Sequence, residues 1–257
     1  MMALKQVNYE HTTSIRLWKT YCEDEGVRKI CEFLPVTNKV KFLELLENKI
    51  TAHGCNFIGR VLAPSPDPSK IRTLKLDHND IGSEGVRNLV VGLGQNKTME
   101  ILSLTYCNID HEGARPLFEI LIYTKSGLTD LNLTGNHLRN EGIPMIMKGL
   151  SVNKSLKKIS LADNQFGEDP EVLESIKYAW TKNNHLAKYD FRFNAIYDSG
   201  VKALTEYMEV ATHITEVEIS ERVKSKEVVE AFKDQMKANK PKKKKGRKGK
   251  SKKKKKK

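Results

Sequence analysis

The order of hydrophobic and polar positions along the chain follows one pattern, which recurs between Ile15 and Ile219. In each copy a hydrophobic residue precedes a Leu-x-Leu pair, and an asparagine or cysteine lies three positions after the pair. An isoleucine or leucine follows two positions later, and a glycine comes four positions after that. The stretch LTDLNLTGNHLRNEG at 128–142 shows every one of these positions. This recurrence predicts an array of equivalent structural units.

Six copies keep the register, one with Pro170 in place of the glycine and one with Tyr189 and Phe191 in place of the leucines, and two weaker copies flank them at Ile15 and Ile214. The asparagine position is occupied, in chain order, by Thr20, Asn48, Asn79, Cys107, Asn136, Asn164 and Asn194. Successive positions are 28 to 31 residues apart. The longest interval contains APSPDPS at 63–69, a proline-rich insertion that predicts a surface loop.

Each copy combines a strand period with a helix period. Alternating side chains of a strand point to opposite sides, so Leu131 and Leu133 would face a core while Asn132 faces outward. From Gly142 onward, GIPMIMKGL has hydrophobic residues at helical spacing, and we expect the glycine to open a helix. Each unit then reads strand, turn, helix and return, which is the crossover that parallel strands require.

This pattern resembles the leucine-rich repeat family, and its spacing is similar to the 28–29-residue ribonuclease-inhibitor type. The resemblance covers residues 12–222 and about seven to eight repeats. It implies an α/β solenoid with parallel strands on the concave face and helices on the convex face. It also implies that each asparagine amide bonds to backbone groups of adjacent turns. Residues 1–11 form an N-terminal segment, and SKEVVEAFKDQM predicts a capping helix within 223–239.

The formal net charge of +13 is concentrated at the carboxyl end. Residues 240–257 contain 14 lysines and arginines and no acid, which leaves a charge of −1 on residues 1–239. A segment without hydrophobic residues predicts a disordered tail. We expect it to bind an acidic polymer through Lys242, Lys243, Lys244, Lys245, Arg247 and Lys248. RNA, DNA, anionic lipid and the acidic tails of tubulin all fit this charge, and the composition also fits nuclear localisation.

Motifs for catalysis or metal binding are not found. GLGQNKT at 92–98 lacks the glycine that a phosphate-binding loop needs before its lysine, and DHNDIG at 77–82 fails as a calcium loop. The histidines show no i, i+4 pair, and the four cysteines read as free thiols. We expect no enzyme activity and no cofactor. Without a visible signal peptide or membrane span, we expect a cytoplasmic protein.

The repeat register also predicts which side chains line the concave face. Its N-terminal half would carry hydrophobic side chains, namely Trp18, Phe42, Leu46 and Tyr106. Small polar side chains would line its middle, and acidic side chains would line its last strand. The candidate partner-binding residues are Trp18, Phe42, Leu46, Glu47, Asp77, His78, Tyr106, Asn132, Arg192 and Phe193. Exposed aromatic residues are typical anchors of protein interfaces. The alternative for Trp18, Phe42 and Leu46 is packing beneath the segment 4–9.

Three functions fit these features. The first is a non-enzymatic scaffold that holds a protein in the groove while the tail tethers it to an acidic surface; by family analogy this suits cytoskeletal or ciliary assemblies. The second is a Ran-type GTPase-activating regulator, although the tail has the opposite charge from the acidic segment typical of those proteins. The third is a nucleic-acid- or ribosome-associated protein that acts through the tail.

Overall fold

The computed structural model describes residues 11–220 and 222–241. Within them, eight parallel strands form one sheet whose order follows the chain. The strands are β1 (Ser14–Trp18), β2 (Phe42–Leu46), β3 (Thr73–Lys75), β4 (Ile101–Ser103), β5 (Asp130–Asn132), β6 (Lys158–Ser160), β7 (Lys188–Asp190) and β8 (Glu216–Glu218). The helices are α1 (Glu23–Thr37), α2 (Ala52–Leu62), α3 (Gly82–Leu93), α4 (Ala114–Leu121), α5 (Arg139–Val152), α6 (Pro170–Lys182), α7 (Asp198–Val210) and α8 (Lys226–Asn239).

The core lies between the sheet and the helices. The first leucine of each Leu-x-Leu pair aligns across the sheet, from Leu43 through Leu74, Leu102 and Leu131, and continues as Ile159, Tyr189 and Val217. These side chains and the hydrophobic faces of the helices are buried in one continuous cluster. A single repeat could not bury its own leucines, so stacking supplies the core. The predicted leucine-rich repeat solenoid is confirmed.

The asparagine position forms a ladder of side-chain hydrogen bonds between repeats. The Asn79 amide donates to Leu45 O at 2.7 Å and to Leu76 O at 2.8 Å. Its Oδ1 accepts from Asn48 N at 2.8 Å and from Ile50 N at 3.0 Å. Cys107 replaces the amide once, and its Sγ donates to Leu76 O at 3.2 Å. Each such side chain therefore pairs backbone groups of the repeat before it, as the resemblance implied.

The recurring glycine does not open the helices, contrary to the prediction. Gly142 is the fourth residue of α5, and Gly54 is the third residue of α2. A carboxylate of the preceding repeat explains the glycine in α2. Asp24 Oδ1 accepts from Thr51 N at 2.8 Å and from Gly54 N at 3.0 Å. A Cβ at Gly54 would lie 2.5 Å from this oxygen, so glycine leaves the room that the carboxylate needs.

We call Asp24, Glu168 and Asp198 the inter-repeat caps, because each lies four positions after an asparagine position and binds the beginning of the next helix. Glu168 accepts from Gly200 N at 2.9 Å and also from Tyr197 N and the Ser199 hydroxyl, at the start of α7. Asp198 Oδ1 accepts from Lys224 N at 2.9 Å and Ser225 N at 3.2 Å, at the start of α8. Free N–H groups at helix N-termini are thus satisfied in part by the preceding repeat.

We expect Glu168→Gln to weaken the acid sensitivity of folding. Burial opposes ionisation of Glu168, but the hydrogen bonds from Ser199, Gly200 and Tyr197 outweigh it and hold the pKa of this carboxyl below its ordinary value. Because the folded-state pKa is lowered, the stabilisation is complete above the unfolded-state pKa of about 4.3 and is lost as the pH falls through the folded-state value. The variant should be about 1 kcal/mol less stable at pH 7, with less difference at pH 3.

Urea unfolding followed by circular dichroism at pH 7 and pH 3 measures this effect. Glu174→Gln is the matched control, because Glu174 lies exposed on α6 and pairs only with Lys177 among the described residues. A Glu168→Gln variant that loses the same stability at both pH values would show that the charge of the cap is unimportant.

A second set of asparagines connects the repeats where the chain returns from helix to strand, and the sequence analysis missed it. The amides of Asn96, Asn153 and Asn183 donate to the preceding repeat at Leu62 O, Leu121 O and Leu150 O. Their Oδ1 atoms accept from the backbone N–H three residues later. The signal was available, since each asparagine lies three positions before the first hydrophobic residue of a copy.

Helix α8 lies against the last repeat. Val228 and Phe232 are buried, and the Asn239 amide donates to Met208 O and to Ile214 O, both at 3.0 Å. The proline-rich residues 64–68, between α2 and β3, are exposed and contain no helix or strand. Across the described ranges, none of the helices combines the length and the hydrophobicity that crossing a membrane requires.

Candidate partner-binding face

The face of the sheet away from the helices, here called the concave face, carries the outward side chains of every strand. The register aligns Trp18 with Leu46, and Phe42 with Thr73 and Ile101, on this side. The ten candidate residues from the sequence lie either at these outward strand positions or in the turn that follows each strand. Their positions along the sheet were therefore derivable from the repeat alone.

The turn after each strand contributes a second line of side chains, which we call the turn row. Its members directly precede the asparagine position and all have positive φ angles between 51° and 71°: Lys19, Glu47, His78, Tyr106, Gly135, Asp163 and Phe193. This left-handed backbone costs energy for residues other than glycine. Hydrogen bonds to the next repeat hold it, for example from Tyr106 N to Thr134 O at 2.8 Å. Each of these seven repeats thus places one turn-row residue at an equivalent position, with a side chain at all of them except Gly135.

At the N-terminal end of the concave face, aromatic rings are held by charged neighbours. Trp18 is 69% exposed, and its indole N–H donates to Glu47 Oε2 at 3.3 Å. Lys19 Nζ lies 2.8 Å from the same carboxylate oxygen and 5.5 Å from the Trp18 ring. The guanidinium of Arg16 lies 5.7 Å from the Phe42 ring. The segment 4–9, which was the alternative cover for these rings, lies outside the described residues.

In the centre of the concave face, Tyr106 spans two repeats. Its ring stacks on His78 with a centroid distance of 5.0 Å, and its hydroxyl donates to Asp163 Oδ2 at 3.3 Å. The ring passes over Gly135, where a Cβ would lie 2.2 Å from it. Burial and the negative charge of Asp163 raise the pKa of Tyr106. The turn-row position without a side chain is therefore filled by its neighbour.

The small polar side chains of the middle strands bind one another. Asp77 Oδ1 accepts from the Ser103 hydroxyl at 2.6 Å and from Thr105 N at 2.9 Å. Asn132 Oδ1 accepts from the Thr134 hydroxyl at 2.7 Å. Asp77 and Asn132 were both candidate partner-binding residues, and each uses an acceptor oxygen inside the protein. The sequence could not show these internal hydrogen bonds, because they depend on the conformations of the side chains and the repeat register does not determine those.

The carboxylates of the last two strands form ion pairs with basic side chains. Arg192 donates to Asp190 through Nε at 3.0 Å and through Nη2 at 2.7 Å, and it also pairs with Glu218 at 2.9 Å. Asp190, which follows the core residue Tyr189 in β7, is buried. Burial opposes its ionisation, but the hydrogen bonds from Arg192 outweigh it and hold its pKa below the ordinary value. Lys188 pairs with Glu216 at 2.9 Å, so two basic side chains are shared among the three carboxylates Asp190, Glu216 and Glu218 at this end.

The described residues contain no group of three or more histidine, cysteine and acidic side chains placed to hold a metal ion. Cys31, Cys55 and Cys107 are buried, and burial raises the pKa of Cys31 and of Cys107 to about 12. These thiols stay protonated at neutral pH, so they are not poised as nucleophiles. Their chemistry is that of small core residues.

The comparisons with known proteins agree with the repeat. A family model described as "Leucine Rich repeat" matches residues 68–90, 95–118 and 127–147. Human NACHT, LRR and PYD domains-containing protein 5 is 29% identical over 210 residues, which is 80% of this chain and 17% of that protein. Mouse ribonuclease inhibitor is 31% identical over 129 residues, which is 49% of this chain and 27% of that protein. The chain therefore spans less than a third of the length of either relative.

A solved structure of leiomodin-1 actin-binding site 2 is 17% identical, with a TM-score of 0.41, and covers 69% of this chain and 86% of that one. This likeness is too distant to bear on function. The family model matches three successive repeats, and the same register and asparagine ladder continue through the repeats on either side. The chain belongs to the leucine-rich repeat family, in its ribonuclease-inhibitor-like type, whose repeats serve as protein-interaction scaffolds.

Proposed function

We propose that this chain is a non-enzymatic scaffold that holds a protein partner on its concave face. The observation that carries the proposal is the exposure of large aromatic side chains on that face. Trp18 is 69% exposed, Tyr106 48% and Phe193 62%. Rigid aromatic side chains commonly anchor protein interfaces, because they bury a large area at low cost in conformational entropy.

The dimensions of the face favour a protein over a metabolite. Eight neighbouring strands at about 4.8 Å spacing give a face on the order of 35 Å long. A helix or a small domain would fill this length, whereas a metabolite would need an enclosed pocket. The exposed rings are distributed over both ends and the centre of the face, so a partner that buries them must be extended.

The proposal also gives the lysine-rich tail a role as a tether. Residues 242–257 lie outside the described residues, but 12 of these 16 residues are lysine and one is arginine. Such a segment attracts acidic polymers at long range and with strong dependence on salt. We propose acidic tails of tubulin as its target, which would place the protein on the cytoskeleton or in cilia. RNA is the alternative target.

One experiment tests both roles, namely affinity purification with quantitative mass spectrometry. The chain with Tyr106→Ala and Phe193→Ala should retain a partner at least about tenfold less than the unchanged chain, because interface anchors each contribute of order 1–2 kcal/mol. Tyr178→Ala with Val210→Ala is the matched control, since both residues are exposed hydrophobic residues on helices. Equal capture by both double variants would refute concave-face binding.

A third, full-length variant separates the tail from the solenoid. It carries serine in place of every lysine and arginine in 242–257. It should keep the concave-face partner and lose microtubules or RNA, and these should also leave the unchanged chain as salt is raised. Loss of all partners would favour the nucleic-acid- or ribosome-associated alternative. Acceleration of GTP hydrolysis by Ran would favour the regulator alternative.

A further inference from the structure

Asp163 is an exception among the carboxylates of the concave face. Most of the others have a basic partner: Glu44 pairs with Arg16 and Lys75, Glu47 with Lys19, Asp190 and Glu218 with Arg192, and Glu216 with Lys188. Asp77 has no such partner among the described residues but accepts two internal hydrogen bonds, and Asp130 accepts one and faces Lys158 across the sheet. Asp163 forms no ion pair with any described lysine or arginine.

The hydrogen bonds of Asp163 leave acceptor capacity unused. Among the described residues, its side chain accepts only from the Tyr106 hydroxyl, at Oδ2 and at 3.3 Å. Asp163 is partly buried as a residue, and its hydrogen bond to Tyr106 lies at the exposed surface, where a partner can reach the carboxylate. A carboxylate with one long hydrogen bond from a neutral donor keeps acceptor positions for a cation that binds beside it.

The surroundings of Asp163 suit the hydrophobic part of a cationic side chain. Tyr106 lies on one side, with its ring held by the stack on His78. On the other side, Phe193 is the next member of the turn row, and Asp163 N donates to Arg192 O at 2.8 Å, which couples the two turns. Cations bind favourably over aromatic rings, and an arginine guanidinium also stacks on them.

A concavity opens beside Tyr106 and Asp163. Its described lining is Tyr106, Asn108, Gly135, Asn136, His137, Asp163 and Gln165. The other polar groups there have partners: His137 bonds with Gln165 at 2.6 Å, and Asn108 donates to Asp80 at 3.0 Å. Asp163 is the acidic group in this lining, so the concavity has one unsatisfied charge and it is negative.

We propose that Tyr106, Asp163 and Phe193 form a subsite for a single arginine or lysine side chain of the protein partner. The inference rests on the proposed function, and it specifies the chemistry that the partner brings to the centre of the concave face. The cation donates to Asp163, and its hydrophobic stem lies against the two rings. Arginine binds more tightly than lysine, since its planar group can donate to the carboxylate and stack at the same time.

The test uses the full chain and defined peptides. Gly-Ser peptides with one central arginine, lysine, citrulline or norleucine are titrated while the backbone amide resonance of Gly135, beneath the Tyr106 ring, is followed by NMR. The arginine peptide should shift this resonance saturably, lysine should bind more weakly, and citrulline and norleucine should not bind. Equal binding of arginine and citrulline, or no saturable shift, would overturn the subsite.

Variants assign the interaction to Asp163. Asp163→Asn keeps the shape of the side chain and removes its charge, and it should lower the affinity for the arginine peptide by about tenfold. Glu216→Gln is the matched control, because Glu216 is another concave-face acid but already pairs with Lys188. The Glu216→Gln variant should bind the arginine peptide with the affinity of the unchanged chain. Equal affinity of the Asp163→Asn variant and the unchanged chain would remove Asp163 from the subsite.

The serine-substituted tail variant distinguishes the partner from the lysines of 242–257. If it binds the arginine peptide with unchanged affinity, the subsite is open to a partner. If neutralising the tail itself moves the Gly135 resonance and tightens peptide binding, the tail is the occupant and the partner assignment is wrong. The two proposals fail separately, since a partner lost on Tyr106→Ala and Phe193→Ala but kept on Asp163→Asn leaves the scaffold function standing.

Discussion

Replacing Asn79 with alanine is expected to lower the free energy of unfolding by about 3–5 kcal/mol. Asn79 is 2% exposed, and its side chain bonds to backbone groups of three different segments of two repeats. Alanine leaves the N–H groups of Asn48 and Ile50 and the carbonyls of Leu45 and Leu76 without these partners in a buried place. Each unsatisfied group costs about 1–3 kcal/mol unless water reaches it.

Urea unfolding followed by circular dichroism measures the change, and Asn108→Gly provides the control, because Asn108 has a positive φ angle of 56° that glycine adopts without strain. Asn108 lies in the next repeat and is exposed, and its side chain bonds only to Asp80, at 3.0 Å, among the described residues. Its removal should change stability by less than about 0.5 kcal/mol. Similar losses for the two asparagines would mean that the ladder adds no more than a surface hydrogen bond does.

Gly59→Ala should destabilise the protein by about 2–3 kcal/mol, although helix propensity alone predicts the opposite sign. Gly59 lies in α2, where a Cβ would be 2.2 Å from the backbone oxygen of Asn88 in α3. The contact is reciprocal, because a Cβ at Gly92 of α3 would lie 2.3 Å from Gly59 O. The two helix backbones are in direct contact, so an added methyl group must push them apart and open the core beneath.

The control for this substitution is Gly142→Ala. A Cβ at Gly142 would meet its nearest neighbours, His111, Ala114 and Leu138, at 3.3–3.4 Å, which small shifts can accommodate. Its stability should change by less than about 1 kcal/mol. Thermal unfolding of the two variants side by side separates close helix contact from a general preference for glycine in these helices. Equal effects at the two positions would argue against the close contact.

The repeat register was sufficient to predict the strands and the core leucines, and the resemblance to the leucine-rich repeat family implied the asparagine ladder. These features depend on which residue occupies which place in a unit, and that is what periodicity records. Leu131, Asn132 and Asn136 lie where the alternation placed them. The same reasoning placed Trp18, Tyr106 and Phe193 on the concave face before any contact was known.

Contacts between repeats that depend on side-chain conformations were not predictable in this way. Nothing in the sequence around Gly54 shows that the carboxylate of Asp24, 30 residues earlier, occupies the space of its missing side chain. The pairing of Arg192 with Asp190 and the reach of Tyr106 to Asp163 depend on side-chain conformations across neighbouring strands. Sequence spacing predicts which residues line the concave face, but the ion pairs and hydrogen bonds among them depend on the three-dimensional structure.

The inter-repeat caps have a direction along the chain. Helix α2 depends on Asp24 of the preceding repeat, α7 on Glu168, and α8 on Asp198, and in each case the dependence runs from a repeat to the one before it. A break that removes an N-terminal repeat removes part of the helix capping of its successor, whereas a break on the other side removes the asparagine that bonds to the backbone of the repeat before it, as Asn79 does for Asn48 and Ile50. The two sets of bonds run in opposite directions along the chain, so local unfolding of one repeat should destabilise the repeats on both of its sides.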